Sequence, residues 1–414
     1  MANLFLNTSW ISLEVLRLLV NKLTVAEYFN TDDNDEFKQE FAVGATIQKK
    51  FPQKFLIRDG LGYNPQAINR ISTTISLDQP FGIDFEWDDY EGAVKAERSE
   101  DEIREQYLEP AAAQLAQEVD TRCALFAKNN VSNIVGILGT DFTSVATPYA
   151  ARRRLMEKAA PPGKRAMCIS SSQMASFGTN ITNFFQPGDE LSQMFKEGYL
   201  GRNGGFDWIE SNSIFSHTTG VWANVVGVTV TGAGQSGSSL IITGTNGDTI
   251  KQGDKISIAN VNAVNPMTRR VAGPLQAQQF NVTADFVLTG GADTISILPA
   301  IFGPGSQNQN VDALPGNGAV LTLWPGSSIV NGAAKTGTVG LALTKLAFAL
   351  VGAKLYSPKA VEVCSQKRDP KTGLAVRFVK AWDPVRSMNI HRFDMVIGFG
   401  NLYQDNGAVG VLSA

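Results

Sequence analysis

One block of this chain, residues 221–325, differs in composition from everything around it. It contains no glutamate and few charged residues, and Gly, Thr, Val, Asn and Gln dominate it. The chain on both sides is charged and carries helical patterns. Such a break inside one chain predicts a separate β module inserted into a larger domain. The charged residues of the block are Asp248, Lys251, Asp254, Lys255, Arg269, Arg270, Asp285, Asp293 and Asp312.

The block has the pattern of a small all-β domain. Short β-branched runs alternate with turn residues, which predicts a barrel or sandwich that folds by itself. Asn246-Gly247 marks a tight turn, and residues 302–318 are expected to form a mobile loop. The predicted strands are Val225–Thr231, Ser239–Thr243, Asp254–Ala259, Gln279–Phe286, Thr294–Leu298 and Ala319–Trp324.

The flanking chain carries helical and strand patterns. Residues 12–29 predict an amphipathic helix with Ser12 as its N-cap. Residues 99–129 predict a long helix with an acidic start and a kink at Pro110. The other predicted elements are an apolar helix at Leu341–Leu355 and paired strands at Leu374–Trp382 and Asn389–Phe399.

Residues 43–86 predict a long, protruding hairpin. Strand patterns at Val43–Phe51 and Ile71–Asp84 enclose a segment rich in Gly and Asn. A hairpin of this length is not stable alone and requires a partner surface. The basic residues of the segment are Lys49, Lys50, Lys54 and Arg58.

Charge and reactive residues argue against several classes of function. The net charge is -3, from 36 basic and 39 acidic residues, so sequence-specific nucleic-acid binding has no electrostatic footprint. The three cysteines show no CxxC spacing, and two histidines supply neither a zinc site nor a catalytic triad. No apolar run approaches the roughly 18 residues of a membrane helix. We therefore predict no cofactor, no metal and no membrane partner.

One glycine run resembles a nucleotide-binding motif. Gly232-Ala-Gly234-Gln-Ser-Gly237 matches GxGxxG and follows a strand pattern. That motif binds pyrophosphate only where a helix starts, because the amides at the helix N-terminus hold the phosphates. The next residues predict another strand, so we interpret the run as a hairpin turn.

Several collinear segments resemble one family of viral proteins. In order, they match the start of an extended loop, a spine helix, an insertion domain, an axial helix and C-terminal strands. The chain resembles the major capsid (coat) proteins of tailed bacteriophages with the Hong Kong 97 fold. It is most similar to those of short-tailed Salmonella-type phages, which carry an insertion domain. The matching segments are Gly44-Ala-Thr46-Ile47 to Pro52, Tyr107-Leu-Glu-Pro110-Ala-Ala, Gly253-Asp254-Lys255-Ile256-Ser257-Ile258, Leu346–Leu355 with Pro358, Trp382-Asp383-Pro384 and Arg392–Gly398.

The resemblance implies an α+β fold of the Hong Kong 97 type with an inserted all-β, barrel-like domain. The expected parts are an N-terminal arm (1–42), an extended loop hairpin (43–90), a peripheral domain with the spine helix 99–129 (91–147), an axial domain in two pieces (148–220 and 326–360), the inserted β domain (221–325) and the C-terminal strands of the peripheral domain (361–414).

The resemblance also implies a function. The chain would be a structural subunit, not an enzyme, that assembles with copies of itself into hexamers and pentamers of an icosahedral shell. Implied partners are a scaffolding protein, a portal and packaged double-stranded DNA, bound without sequence specificity. The implied locations are the virion and, during assembly, the bacterial host cytoplasm. Two alternatives remain open at this point: a β-rich phage structural protein or adhesin, and a nucleotide-binding enzyme.

The hairpin carries the only predicted site. Its basic residues Lys49, Lys50, Lys54 and Arg58 are hypothesised to bind an acidic surface of a neighbouring subunit during assembly. No catalytic, cofactor-binding or metal-binding residue is assigned.

Overall fold

The computed structural model describes residues 8–32, 44–63, 65–68, 70–88, 104–181, 202–222, 227–271, 276–324, 334–358, 361, 363–385 and 388–414. By its contacts the chain divides into two units, each assembled from segments that are distant in sequence. The first comprises Met1–Lys50, Ser72–Cys123 and Phe348–Leu402, and the second comprises Phe51–Ile71, Ala124–Ala347 and Tyr403–Ala414.

The elements run in chain order as follows. The α-helices are α1 (Thr8–Lys22), α2 (Glu109–Asn130), α3 (Ala146–Glu157), α4 (Ser171–Ile181) and α5 (Gln404–Gly407), with a 3-10 turn at Ala26–Tyr28 and a π-helical turn at Arg104–Leu108. The strands are β1 (Thr46–Lys50), β2 (Ser72–Asp88), β3 (Asn133–Gly136), β4 (Arg165–Ile169), β5 (Arg202–Asn203), β6 (Phe206–Glu210), β7 (Ser216–Thr218), β8 (Thr229–Val230), β9 (Gly237–Thr243), β10 (Thr249–Ile250), β11 (Lys255–Asn262), β12 (Ala277–Val282), β13 (Phe286–Val287), β14 (Asp293–Ile301), β15 (Leu321–Leu323), β16 (Thr336–Thr344), β17 (Phe348–Gly352), β18 (Val363–Arg368), β19 (Ala375–Asp383), β20 (Met388–Asn401) and β21 (Ala408–Leu412).

The first unit is built on an antiparallel sheet in the order β1-β2-β20-β19-β18, with β17 also pairing with β20. The long strand β2 pairs with β20 from Ser76 opposite Phe399 to Asp88 opposite Met388. The predicted pairing of β19 with β20 is confirmed. Phe29 stacks on Phe348 with ring centroids 5.7 Å apart, so the turn after α1 closes the apolar core.

The second unit contains a mixed sheet in the order β3-β21-β16-β4-β6-β5, with β7 pairing with β16. Two of its pairs, β3 with β21 and β4 with β6, are parallel. Phe142, Phe177 and Trp208 stack in the core beneath it, with neighbouring ring centroids 4.9 and 4.7 Å apart. Along residues 133–210 strands and helices alternate, as the mixed sequence pattern of this region indicated.

The acid-poor block forms an antiparallel sheet in the order β15-β11-β12-β14-β9-β8, with β10 and β13 as a separate pair. We call residues 221–325 the β module. Its apolar core also includes four residues from outside the block, which are Ile134, Leu138, Val339 and Leu412. The module therefore shares a core with the rest of its unit, and the prediction that it folds alone stays a prediction.

The glycine run is a hairpin turn, as predicted. It joins β8 to β9, which pair antiparallel with Thr229 opposite Thr243. The Gln235 amide nitrogen donates to the carbonyl of Thr231 at 2.7 Å, and its oxygen accepts from the amide of Ile241 at 2.7 Å. No helix follows the run, so the observation that suggested a nucleotide-binding enzyme is explained by a turn.

The predicted apolar helix at Leu341–Leu355 is wrong. The segment forms the end of β16 and the whole of β17, separated by a turn near Lys345. Both strands lie inside sheets and are buried on both faces, so their side chains do not alternate between apolar and polar. A short apolar run of this kind has no periodicity that separates a helix from a buried strand.

The long helix differs from its prediction at its start. Residues 99–103 lie outside the described residues, and Arg104–Leu108 form a π-helical turn before α2. Pro110, which has no amide proton, is the second residue of α2 and follows directly after the π-helical turn. The helix type changes next to the proline, and the kink itself stays a prediction.

Two local predictions are corrected. Ser12 is not an N-cap, because α1 begins at Thr8; its buried hydroxyl lies 3.0 Å from that of Ser365. The segment 302–318 is not a free loop. Asn310 donates to the carbonyl of Ala300 at 2.7 Å and Asp312 accepts from the amide of Asn262 at 2.7 Å, which fixes the segment to β14 and β11.

Candidate assembly surface

The predicted hairpin divides between the two units. Its base belongs to the first unit, where β1 pairs with β2 and Lys50 stands opposite Ser72. Lys49 is half-buried on β1 and Lys50 is exposed. The segment between the strands, residues 51–71, belongs to the second unit, and we call it the loop tip.

Hydrogen bonds within the loop tip define its shape. The amide of Phe51 donates to the carbonyl of Ile71 at 2.9 Å and closes its base. Leu56 donates its amide to the side-chain oxygen of Gln66 at 2.7 Å, and the Gln66 amide nitrogen donates back to the carbonyl of Leu56 at 2.5 Å. The two limbs of the loop tip are thus linked without strand pairing.

The structure does not bring the four predicted basic residues into one patch. Arg58 donates through Nη1 to the carbonyls of Gly60, at 2.7 Å, and Gly62, and so folds the end of the loop tip. Lys54 is half-buried; burial lowers the pKa of Lys54, and the nearby Asp405 carboxylate partly opposes that effect. Lys50 and Arg58 are exposed, and the assembly role of all four residues stays a prediction.

The loop tip exposes large apolar side chains that the sequence analysis did not assign. Clusters of this kind on a protein surface mark interaction sites. A signal was present, since five large apolar residues within one Gly- and Pro-containing loop exceed what a solvated loop needs. The exposed fractions are 63% for Phe55, 90% for Ile57, 98% for Leu61, 90% for Tyr63 and 75% for Ile68.

A buried carboxylate, that of Asp254, links the segment that leads into the β module to the segment that ends it. Asp254 is fully buried and accepts four hydrogen bonds. Before the module, His217 Nε2 donates to it at 2.8 Å and the Gly220 amide at 3.0 Å. Trp324 Nε1, at the end of the module, donates at 3.1 Å, and the Lys251 amide donates at 2.8 Å. Asp254 therefore fixes the chain where it enters the module and where it leaves.

The next residue fixes the β module to the end of α2. Lys255 is fully buried and donates through Nζ to the carbonyl of Lys128 at 3.1 Å and to the Asn281 side-chain oxygen. Asn281 donates to the carbonyl of Asn129 at 2.5 Å. A cation and an amide thus satisfy carbonyls that the last turn of a helix leaves free. Burial lowers the pKa of Lys255 well below its usual value, although Asp254 opposes this.

Replacing Lys255 with methionine is expected to lower the free energy of unfolding by about 1–3 kcal/mol at neutral pH, because two buried acceptors lose their donor. The folded pKa of Lys255 is lower than the unfolded one, so between them the unfolded chain binds more protons and wild-type stability rises with pH. Methionine carries no such proton. The advantage of the wild type over Lys255→Met should therefore grow towards pH 10.5, the usual lysine value.

Urea titrations of both proteins at neutral and alkaline pH measure this difference. Lys251→Met, at an exposed lysine of the same module, is the control and should show no growing difference. A wild-type advantage that shrinks as the pH rises would show that burial does not lower the pKa of Lys255.

Among the described residues, no helix is long and apolar enough to cross a membrane. Within that same part of the chain, no three His, Cys, Asp or Glu side chains are grouped as metal ligands.

Comparison with known proteins assigns the family. The profile of the family described as "P22 coat protein - gene protein 5" matches residues 90–323, more than half of the chain. The chain belongs to the P22 coat protein family. The matched region runs from before α2 to β15, so it includes both the helix end and the β module joined by Lys255.

Solved phage structures show a low likeness to this coat protein. A chain from Mycobacterium phage Che8 is 12% identical, with 94% of this chain and 90% of that chain covered and a TM-score of 0.45. The capsid of cyanophage P-SCSP1u is 12% identical, with 91% of this chain and 85% of that chain covered and a TM-score of 0.42. The mature capsid of bacteriophage PhiM1 is 11% identical, with 90% of this chain and 83% of that chain covered and a TM-score of 0.39. These likenesses add no weight to the family assignment. A search of curated protein sequences finds no match.

Family membership establishes the role of the chain. It is a tailed-phage major capsid protein with the Hong Kong 97-type fold, and it self-assembles into the icosahedral head shell. The virion shell is its location. Its family indicates a structural rather than an enzymatic role.

Proposed function

We propose that the loop tip is a contact through which this coat protein binds a neighbouring copy in the shell. The observation that carries the proposal is the exposure of Leu61 and Tyr63 at 98% and 90%. A shell made of copies must bury surface between them, and exposed apolar side chains supply the largest free energy per area. That Lys49, Lys50, Lys54 and Arg58 bind an acidic surface of a neighbouring copy is a separate part of the proposal.

Strand β2 offers a chemical complement to the basic residues. Its exposed face carries Asp78, Asp84 and Glu86, which alternate with inward residues as strand geometry requires. Arg392 pairs with Asp84 at 3.5 Å, so that carboxylate is partly neutralised within the chain. Asp78 and Glu86 keep the row acidic, so it can still attract the basic residues of another copy, which directs encounter more than it adds affinity.

The remaining features of the proposal rest on the family resemblance. A scaffolding protein and a portal are the proposed assembly partners, and double-stranded DNA is the proposed content of the shell, without sequence-specific binding. Assembly is proposed to occur in the host cytoplasm. The predicted arm, extended-loop, peripheral, axial and inserted domains are proposed with the boundaries given above.

Reversing the charge of Lys50 tests the polar part of the contact. We expect Lys50→Glu to leave the subunit folded but to slow shell formation severalfold at low salt, because attraction between exposed charges speeds encounter. Light scattering measures the rate, and electron microscopy shows whether closed shells form. Lys371→Glu, at an exposed lysine of the same unit, is the matched control. Equal rates for the two variants would show that Lys50 takes no part in assembly.

A further inference from the structure

Arg269 of the β module reaches the backbone of the loop tip. Its Nη2 donates to the carbonyl of Phe55 at 2.8 Å and to the carbonyl of Gln307 at 3.2 Å. Its backbone φ is +55°, a conformation that residues other than glycine rarely adopt. Strained backbone of this kind persists where surrounding contacts require it and often marks a functional position.

Gln307 of the same module holds the loop tip at two other points. Its side-chain nitrogen donates to the carbonyl of Ala67 at 2.9 Å. Its side-chain oxygen accepts from the side-chain nitrogen Nε2 of Gln53 at 2.9 Å. The Gln307 side chain therefore contacts both limbs of the loop tip, and Arg269 joins the Gln307 backbone to one of them.

Two of these three bonds to the loop tip use its backbone, and the third uses the polar side chain of Gln53. Arg269 and Gln307 bind the carbonyls of Phe55 and Ala67, while the Phe55 ring stays 63% exposed. Recognition of backbone orders the chain and leaves its apolar side chains available. This is the arrangement that a surface needs in order to bind a partner without first losing conformational entropy.

We propose that Arg269 and Gln307 are positioning residues that hold the loop tip in a binding-ready form for a second copy of this chain. The inference rests on the proposed role of the loop tip. The partner follows from the established function, because a shell subunit meets other copies of itself. The β module thereby acts in assembly by preparing a surface that a different segment of its own chain carries.

The test compares Arg269→Ala with Arg270→Ala in the full-length protein. Arg270 is the exposed neighbour and shows no side-chain hydrogen bond among the described contacts, so both variants remove one positive charge from the same turn. We expect amide hydrogen exchange at Leu56 to become about tenfold faster in Arg269→Ala and to stay unchanged in Arg270→Ala. A tenfold change is the effect of losing one charge-assisted hydrogen bond to the loop tip. The subunit concentration needed for shells should rise by a similar factor.

Gln307→Ala is the second variant and should act in the same direction, which keeps the test decisive if Arg269→Ala does not fold. Unchanged exchange in the loop tip of a folded variant would overturn the inference. Faster assembly would also overturn it, because the contacts would then restrain the loop tip rather than prepare it. If replacing Leu61 and Tyr63 leaves assembly intact while Arg269→Ala still loosens the loop tip, it is the proposed contact that fails.

Discussion

Replacing Asp254 with alanine is expected to destabilise the second unit by about 3–5 kcal/mol, the cost of breaking a buried, fully bonded polar group. Four donors, from His217, Gly220, Lys251 and Trp324, would remain buried without an acceptor. His217 and Gly220 lie just before the β module and Trp324 lies at its end. The loss should therefore loosen the module where the chain enters and leaves it. Urea unfolding followed by tryptophan fluorescence measures the effect, because Trp324 is itself one of the donors.

Two further variants separate lost bonds from lost volume. Asp254→Asn keeps the shape and one acceptor oxygen, so an intermediate loss is expected. Asp285→Ala removes an exposed carboxylate of the same module and should cost no more than about 1 kcal/mol. An Asp254→Ala protein as stable as the Asp285→Ala protein would show that the junction does not depend on this carboxylate.

Replacing Leu61 and Tyr63 together with serine should raise the subunit concentration needed for shells by roughly 100-fold or more. Burying one large apolar side chain contributes about 1.5–3 kcal/mol, and about 1.4 kcal/mol corresponds to a factor of ten. Both side chains are almost fully exposed in the single chain. Folding should therefore be unaffected, and thermal unfolding of the subunit checks this.

The control for this pair is Val287→Ser, which changes a 60% exposed apolar side chain of the β module outside the loop tip. Sedimentation across a concentration series measures free subunits against shells. Shell formation at the wild-type concentration by the Leu61 and Tyr63 variant would remove the loop tip from the assembly contacts.

Much of the fold could be predicted where a pattern is local. The scarcity of charge in residues 221–325 indicated an all-β module, and its strands occur close to the expected positions. The glycine run was recognised as a turn because the residues after it have the pattern of another strand and not of a helix, and they form β9. The pairing of β19 with β20 followed from two adjacent strand patterns. In each case neighbours in sequence are also neighbours in space.

Predictions failed where burial comes from distant segments. β16 and β17 looked helical because strands covered on both faces lose the alternation that identifies a strand. The basic residues of the hairpin looked like one site, but Arg58 bonds to its own loop and Lys54 lies near Asp405. The apolar loop-tip residues were missed, because sequence alone does not show which apolar side chains a fold leaves uncovered.

The amino-acid sequence was thus sufficient for the family resemblance, the insertion of a β module and the local turns, all of which depend on composition and on contacts between near neighbours. The roles of Asp254, Lys255, Arg269 and Gln307 depend on segments that are far apart in the chain. Asp254 links the two ends of the β module, Lys255 binds the end of α2, and Arg269 binds the loop tip. Each can do so only when folding brings donors and acceptors within hydrogen-bond distance and removes water from between them.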